Sequence, residues 1–564
     1  MTLVVQKSDE FYRIFALTRR ELNGSVDLTE EFRRKGGTAR LWPIQSAALH
    51  EARMQGGLFA PIGVGFGKTL ISLLVMKAMG YSRAVYLVPA QLKTQLRNVD
   101  YPFWNKHFIL PALDRELFIL TYEDLSSAKR AHMLEALKPQ LVIADECHKL
   151  RYKNSARTKR FLRYMRSSGA DAVLLSGTIT TRSLMDYGHL IELALRNYSP
   201  LPNSERAWND LKEWSEAIDA PVRGQIPRSP GALLSFCNDD ELSKITDKVF
   251  ESQKYVRAGF RRRLIETPGV VATEEGALGT SLVLSARDFE LPGAVEQQLF
   301  ETRRTWKIDD EEIEEAPHMW SVMRQLSLGF YYVWDWPRGE KNFAWLQARA
   351  QWHQAVREFL RYRSRPGLDS PFLLTAAIER GEIGDELTSL WRAWKFQRQK
   401  LPQPPRKPVW LSDFAIREAA KFLKEDDSPA ILWYEHDAFG HELAKLLNLR
   451  LIEPGDSMGL EKEKTRPRNI VLSISAHGTG KNLQPWSRQL VMCPPQSGTI
   501  WEQLLGRTHR PGQQADVVTA SVYYHTPEMV SAFDQALRDA KYQEETTGSK
   551  QKLLFANKVG FENG

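Results

Sequence analysis

The sequence predicts an α/β fold: two doubly wound parallel-sheet lobes with a mostly helical insertion between them. Three observations carry this. Four nearly continuous apolar runs, AVYLVPA (84–90), LFILTY (117–122), QLVIADE (140–146) and AVLLSGT (172–178), alternate with amphipathic stretches and end in polar or glycine-rich turns. Such runs suit parallel strands covered by helices on both faces. The same pattern returns later in PAILWYE (429–435), NIVLSIS (469–475), RQLVMCP (488–494) and VVTASVYY (517–524). Between the two blocks strand-like runs thin out, and strands alternating with helices imply a doubly wound sheet in each block.

Taken in order, residues 1–37 are polar and mixed in charge, ending in Arg33, Arg34, Lys35, Gly36 and Gly37. They read as an appended helix or two and a linker. Residues 38–195 form the first expected lobe. Over 196–410 acidic and basic clusters alternate, and nine of the sixteen tryptophans fall between Trp306 and Trp410. This is the expected helical insertion, closing on the proline-rich LPQPPRKP (401–408). Residues 411–544 make the second lobe, and 545–564, from TTGSKQKLL onward, a tail.

Composition narrows the classes. With 564 residues, 42% hydrophobic and 26% charged, the chain matches a globular protein of several domains and excludes a disordered or collagen-like one. No apolar run approaches the roughly 20 residues of a spanning helix. The opening MTLVVQKSDEFYRIF lacks the basic-then-apolar layout of a signal peptide. Cys147, Cys237 and Cys493 are too widely spaced for a disulfide framework or a zinc site, which points to a reducing cytoplasm. Lys plus Arg total 77 against 69 Asp plus Glu. An excess of +8 is compatible with a polyanionic partner but does not select one.

The motifs say more. Gly63-Val64-Gly65-Phe66-Gly67-Lys68-Thr69 follows an apolar segment and precedes the helical pattern LISLLVMKAM. Glycines let backbone N–H groups and a helix N-terminus face a phosphate. Lys68 would reach the β- and γ-phosphates, and Thr69 would bind Mg²⁺. Ile62 stands where the strict pattern has glycine, so the loop is of the relaxed GxGKT form. Asp145-Glu146-Cys147-His148 directly follows the strand LVIA. There Asp145 would hold Mg²⁺ and Glu146 would orient or deprotonate an attacking water. The plain alternative is two solvated acids opening a helix. Far downstream, Arg507 and Arg510 stand three residues apart in Gln503-Leu504-Leu505-Gly506-Arg507-Thr508-His509-Arg510-Pro511-Gly512-Gln513. On a helix they share a face, either solvated or closing over a transferring phosphate.

Together these elements resemble the superfamily-two helicases, and within them the Swi/Snf family of DNA-dependent ATPases. Leu41-Trp42-Pro43-Ile44-Gln45 looks like that family's upstream glutamine motif, which implies that Gln45 contacts adenine. GVGFGKT resembles motif I, DECH-KL motif II and Ser176-Gly177-Thr178 motif III. LVPAQLKTQ (87–95) and Thr121-Tyr122-Glu123 look like DNA-contacting motifs. Ser475-Ala476-His477-Gly478-Thr479-Gly480-Lys481-Asn482-Leu483 resembles motif V, and QLLGRTHRPGQ motif VI, whose His-Arg-x-Gly-Gln ending points to Swi/Snf. Gly259-Phe260-Arg261-Arg262-Arg263 and Met323-Arg324-Gln325-Leu326 resemble elements of the family's two helical protrusions. Ile62-Gly63, Ile179, His477, Thr479 and Lys481 depart from the pattern and suggest a divergent member of a compact prokaryotic or phage kind.

The resemblance implies two RecA-like lobes with ATP and Mg²⁺ in the cleft between them. Gln45, Gly65, Gly67, Lys68, Thr69 and Gly480 would bind nucleotide, with Thr69 and Asp145 on the metal. Lys68, Asp145, Glu146, Arg507 and Arg510 would serve hydrolysis. Gln91, Lys93, Thr121, Tyr122, Lys481, Arg261 and Arg262 would contact nucleic acid. Three readings stay open: a translocase on duplex DNA, a helicase for branched DNA, and a nucleotide-gated DNA-binding scaffold that hydrolyses poorly. DNA is the expected partner, duplex favoured over single-stranded or branched, in a bacterial nucleoid or phage-infected cytoplasm. Trp334, Trp336 and Trp345 lie near Arg338, Lys341 and Arg349 in sequence. They would either stack on unpaired bases or pack helices together. His477 and His509 are expected to make structural or nucleotide-sensing hydrogen bonds.

Overall fold

The computed structural model describes residues 7–20, 26–63, 65–177, 183–219, 228–246, 249–273, 280–309, 311–313, 316–363, 368, 370–478, 481–510 and 512–561, without the side chains of residues 91, 249–251, 311 and 312. Its first lobe holds β1 (Leu58–Ala60), β2 (Ala84–Val88), β3 (Leu117–Thr121), β4 (Leu141–Asp145) and β5 (Asp171–Leu175). They form an all-parallel sheet in the order β1-β5-β4-β2-β3. Successive side chains of a strand point to opposite faces. Val85, Leu87, Val142 and Ala144 accordingly enter one buried cluster, while Ala84, Tyr86, Val88, Leu141 and Ile143 enter another. Both faces are dry, which is why these runs show no polar alternation. The strand order also sets the C-terminal ends of β1, β5 and β4 side by side. That rim is where α/β sheets bind ligands.

The rest of the chain contributes β6 (Ser281–Arg287), a short ladder of β7 (Lys307–Ile308) with β8 (Glu311–Glu312), β9 (Phe330–Trp334) and β10 (Arg406–Trp410). After these come β11 (Ala430–Tyr434), β12 (Arg450–Leu451), β13 (Ile470–Ser473), β14 (Arg488–Val491), β15 (Val517–Tyr523) and β16 (Asn557–Val559). Seven of them make the second lobe's parallel sheet, ordered β12-β13-β11-β14-β15-β6-β16. Alternation recurs here: Leu432 and Tyr434 enter one cluster, Ile431 and Trp433 the other. The fold class is therefore the expected one, two doubly wound α/β lobes.

The packing divides the expected elements differently from composition. The helix Asp9–Phe15 buries Phe11 and Ile14 in the first lobe's core rather than standing apart as an appendage. Of the stretch 196–410 expected as one insertion, Leu201, Leu211, Trp214, Phe236, Val256, Phe260, Leu264 and Val270 belong to that same core. β6, from the same stretch, is an interior strand of the second sheet, between β15 and β16. The expected tail supplies β16 and the end of the helix Pro527–Thr547.

What remains as a true excursion is residues 335–405. β9 and β10 pair antiparallel as a stalk, from Phe330↔Trp410 to Trp334↔Arg406. Beyond it the helices Phe343–Tyr362, Pro371–Glu379 and Asp385–Lys400 enclose their own core. Trp345 is fully buried at its centre, edge-on to Trp334 (5.8 Å), Trp336 (5.7 Å) and Trp394 (5.0 Å). Its Nε1 donates to Leu401 O at 3.0 Å. These tryptophans pack helices, so the base-stacking alternative for Trp334, Trp336 and Trp345 is not what the fold uses them for.

Candidate functional site at the cleft between the lobes

The glycine-rich loop leaves β1 and enters the helix Lys68–Ala78. Gly65 and Gly67 have φ of +99° and +73°, a region that side-chain-bearing residues adopt at a cost. Val64, between them in the motif, lies outside the described residues. A Cβ on Gly67 would collide with Nε2 of Gln45. Gln45 is buried and its Oε1 accepts a hydrogen bond from Trp42 N at 2.8 Å, which aims the amide nitrogen at the loop. Lys68 Nζ donates to the loop's own carbonyls, Ile62 O at 2.9 Å and Gly63 O at 3.0 Å. Its ammonium is thus held beneath the glycines. Thr69 follows in the first helical turn.

Asp145 ends β4, and Glu146 leaves it with φ +56°, a left-handed conformation unusual for a glutamate. Strain of this kind costs of order 1–3 kcal/mol and persists where the surroundings over-determine it. The surroundings here are specific. Tyr122 Oη donates to Asp145 O at 2.6 Å, Tyr86 Oη donates to Asp145 Oδ2 at 3.3 Å, and Glu146 N donates to Asp145 Oδ1 at 3.0 Å. Ser176, just past β5, donates to Glu146 Oε2 at 3.1 Å. His148 Nδ1 stands 3.0 Å from Ser176 Oγ and 3.4 Å from Glu146 Oε2.

Two buried carboxyls side by side cannot both ionise easily. Burial, with the charge of Glu146 added, raises Asp145 above the usual carboxylate range. Burial also acts on Glu146, but the hydrogen bond from His148 and the charges of Lys68, His148 and Arg507 outweigh it and lower that carboxyl below its usual range. Glu146 is the anion of the pair. Arg507, on the helix Gly498–Thr508 of the second lobe, acts on it through its charge. Its guanidinium is buried, with Nε donating to Gln503 O at 2.8 Å and one terminal nitrogen donating to Lys481 O at 3.2 Å. Burial and Arg510 lower its pKa to about 10 while Glu146 and Asp145 pull it upward. Arg510 is buried as well, which lowers its pKa against the opposing charge of Asp100, at the end of the π-helical segment Leu96–Asp100 in the first lobe. Both arginines expected over a phosphate are buried; Arg507 feels the charges of Arg510, Glu146 and Asp145, and Arg510 also that of Asp100.

The residues expected on nucleic acid scatter more widely. Lys93 pairs with Asp124 at 3.6 Å. Thr121 and Asp124 cap the helix Tyr122–Ser126, Thr121 Oγ1 accepting from Asp124 N at 3.0 Å and Asp124 Oδ2 from Thr121 N at 2.9 Å. Tyr122 is wholly buried under Asp145, where its hydroxyl props the carboxylate strand. Lys481 is buried too, its Nζ donating to Ser457 Oγ at 3.1 Å. Arg262 pairs with Glu241 and donates to Phe236 O at 3.0 Å, while Arg261 lines a shallow cavity with Glu544 and Lys550. Gln91 has its backbone on the helix Ala90–Gln95, with its side chain outside the described atoms. Gly480 and Thr178 lie outside the described residues. Arg324 is a core residue, bonded to Glu435 (2.6 Å), Pro494 O (2.7 Å) and Cys493 Sγ (3.0 Å). His509 sits 2.8 Å from Thr280 O, a structural bond.

Sequence reasoning missed Tyr86 and the place of Tyr122 behind Asp145, and it missed Tyr542 and Gln543. The latter reach the first lobe from the helix Pro527–Thr547, where nothing but helical periodicity marks them.

No protein-family model and no curated protein matches the chain. Among solved structures, the chain is similar to the Mycobacterium smegmatis helicase Lhr bound to ssDNA and AMP-PNP, at 11% identity and a TM-score of 0.41. The likeness covers 93% of this chain and 49% of that one, so this chain spans about half its length. A likeness that distant carries no weight for function.

Proposed function

We propose that the chain is an ATP-driven motor on nucleic acid, a DNA-dependent ATPase of the Swi/Snf kind that moves along duplex DNA. One observation carries the reading: a buried Asp145–Glu146 pair beside a glycine-rich lysine loop in one lobe, coupled electrostatically to Arg507 of the other. A site divided in this way links occupancy of the cleft to the spacing of the lobes. The resemblance of motifs I, II, V and VI supports ATP as the ligand and DNA as the track.

The residues fit Mg-ATP. Gly65 and Gly67 give the loop the positive φ values that turn its backbone around a phosphate, and the crowded Asp145 and Glu146 carboxyls form a site whose negative charge a divalent cation would relieve. Thr69 and Asp145 would hold Mg²⁺, which supplies charge neutralisation on the phosphates. Lys68 would exchange its two loop carbonyls for phosphate oxygens. Gln45, fixed by Trp42 N, would meet the base. Glu146, ionised and oriented by Ser176 and His148, would align the attacking water and accept its proton. Arg507 would stabilise charge on the transferred group. The burial of Trp334, Trp336 and Trp345 favours translocation over strand splitting, because it leaves these rings no face for an unpaired base.

Steady-state ATP hydrolysis with and without duplex DNA, single-stranded DNA, a forked junction and duplex RNA tests this, with Glu146→Gln as control. Stimulation strongest with plain duplex DNA, abolished in the control, is expected. Stimulation only by forks or single strands would replace the translocase by the branched-DNA helicase. Absence of hydrolysis on every substrate would leave the scaffold reading.

A further inference from the structure

One helix of the second lobe touches the catalytic rim of the first through its side chains. The helix Pro527–Thr547 ends against the first lobe, and buried Gln543 donates from Nε2 to Gly177 O at 2.6 Å. Gly177 directly follows Ser176, whose hydroxyl holds Glu146. The contact is fastened on both sides. Tyr542 Oη donates to Asp219 Oδ1 at 2.7 Å, and Glu545 pairs with Arg257 at 2.5 Å while the Arg257 guanidinium lies 5.4 Å over the Tyr542 ring.

The same helix is tied to the one that carries Arg507. Gly498, at the start of the helix Gly498–Thr508, has no room for a Cβ: it would come within 2.8 Å of Ala540 N and 2.9 Å of Ala536 O. Backbones that close leave little freedom for one helix to slide on the other. Arg507 and Gln543 therefore belong to one rigid pair of helices, and each reaches the first lobe within one or two residues of Glu146: Arg507 through its charge, Gln543 through the Ser176–Gly177 backbone.

We infer that Gln543 is a positioning residue for ATP hydrolysis: through Gly177 it fixes Ser176, and so the Glu146 carboxylate, in register with the Arg507 that the same helix pair delivers. This rests on the proposed ATPase reading. When the lobes part, Gln543 releases Gly177 as Arg507 leaves Glu146, so water alignment and charge stabilisation switch together. A buried amide donor is worth most where its loss leaves a buried carbonyl without a partner among the described residues, as Gly177 O would be.

The test compares the full chain with Gln543→Met, which keeps length and loses the donor, and with Tyr542→Phe, which loosens the same helix end without touching Gly177. Nucleic-acid-stimulated kcat, the ATP KM and the affinity for a fluorescent ATP analogue are measured for each. Gln543→Met is expected to lower kcat about tenfold, the effect of a hydrogen bond of this kind, with KM and analogue affinity unchanged. Tyr542→Phe is expected to stay near wild-type kcat. A Gln543→Met chain that turns over like an active wild type overturns the inference. So does one that loses kcat and analogue binding together, since that marks a merely structural contact. Failure of the wild type to hydrolyse ATP would instead sink the ATPase reading itself.

Discussion

The side-chain amide of Gln45 occupies the space that any side chain at residue 67 would need. Two residues 22 positions apart are thereby locked together: the glutamine is held by Trp42 N, and Gly67 sits at φ +73° directly beneath it. Gly67→Ala must both adopt a left-handed conformation, at about 1–2 kcal/mol, and displace Gln45. Affinity for an ATP analogue is expected to fall at least about tenfold, the equivalent of 1.4 kcal/mol. Adding Gln45→Ala should not restore it, because the strain stays and the base contact goes. Full binding by the single variant would show that the loop does not hold nucleotide.

Arg507 and Arg510 should separate kinetically. Arg507 is coupled to Glu146 and Arg510 to Asp100. Arg507→Ala is expected to reduce kcat by about 10²–10³, the range for loss of one preorganised donor to developing charge. Arg510→Ala should cost markedly less, provided Asp100 is left in place. Equal losses in a steady-state ATPase assay would mean that both arginines reach the same phosphate.

The excursion over 335–405 should behave as a unit of its own. Trp345→Ala removes the ring on which Trp334, Trp336 and Trp394 converge. It is expected to destabilise that unit by about 3–5 kcal/mol and expose it to limited proteolysis. DNA-independent ATP hydrolysis should be unaffected, since none of these rings belongs to the cleft. Loss of basal turnover would tie the excursion to the site.

Acid should act through buried imidazoles. His525 is buried between Phe289 and Ser327, its Nε2 2.7 Å from Ser327 O, and burial lowers its pKa to about 4. Below pH 6.5 the unfolded chain binds a proton there that the fold does not. The stabilisation is therefore complete above about 6.5 and is lost as pH falls toward 4. Asp145, raised above the usual carboxylate range, and Asp219, raised to about 6, work in the opposite direction, so the informative quantity is a difference. Urea midpoints of wild type and His525→Gln at pH 7.5, 5.5 and 4.5 should converge as the pH drops. A constant gap would show that His525 does not titrate with folding.

Much of this architecture was legible because buried parallel strands announce themselves. Runs such as AVYLV and LVIAD are apolar on both faces, and their turns carry the functional groups, so lobe, loop and carboxylate pair follow from local sequence. β6 and β16 were missed for the converse reason. SLVLSAR holds only three consecutive apolar residues between serines, and NKV is three residues long. Both become strands only because β15 is already there to pair with β6. The site followed the same division. Lys68 and Glu146 could be read from spacing alone. The burial of Tyr122 against Asp145 and of Lys481 against Ser457 depends on packing between separate elements, and the reach of Gln543 to Gly177 on packing between segments hundreds of residues apart.

The seven-stranded sheet has a consequence for how the molecule is made. Its order places β6, near residue 284, between β15 and β16, near residues 520 and 558. A ribosome releases the whole first lobe, through Val270, long before it has delivered the strands that flank β6 on either side. During that interval Asp145 and Glu146 lie in a nascent lobe without the Arg507 charge that meets them in the finished molecule. Domains generally fold as units, the N-terminal one first. The first lobe must then hold its two acids together by Lys68, His148, Ser176 and the two tyrosines alone, and the second lobe stays an open-edged sheet until almost the last described residues emerge.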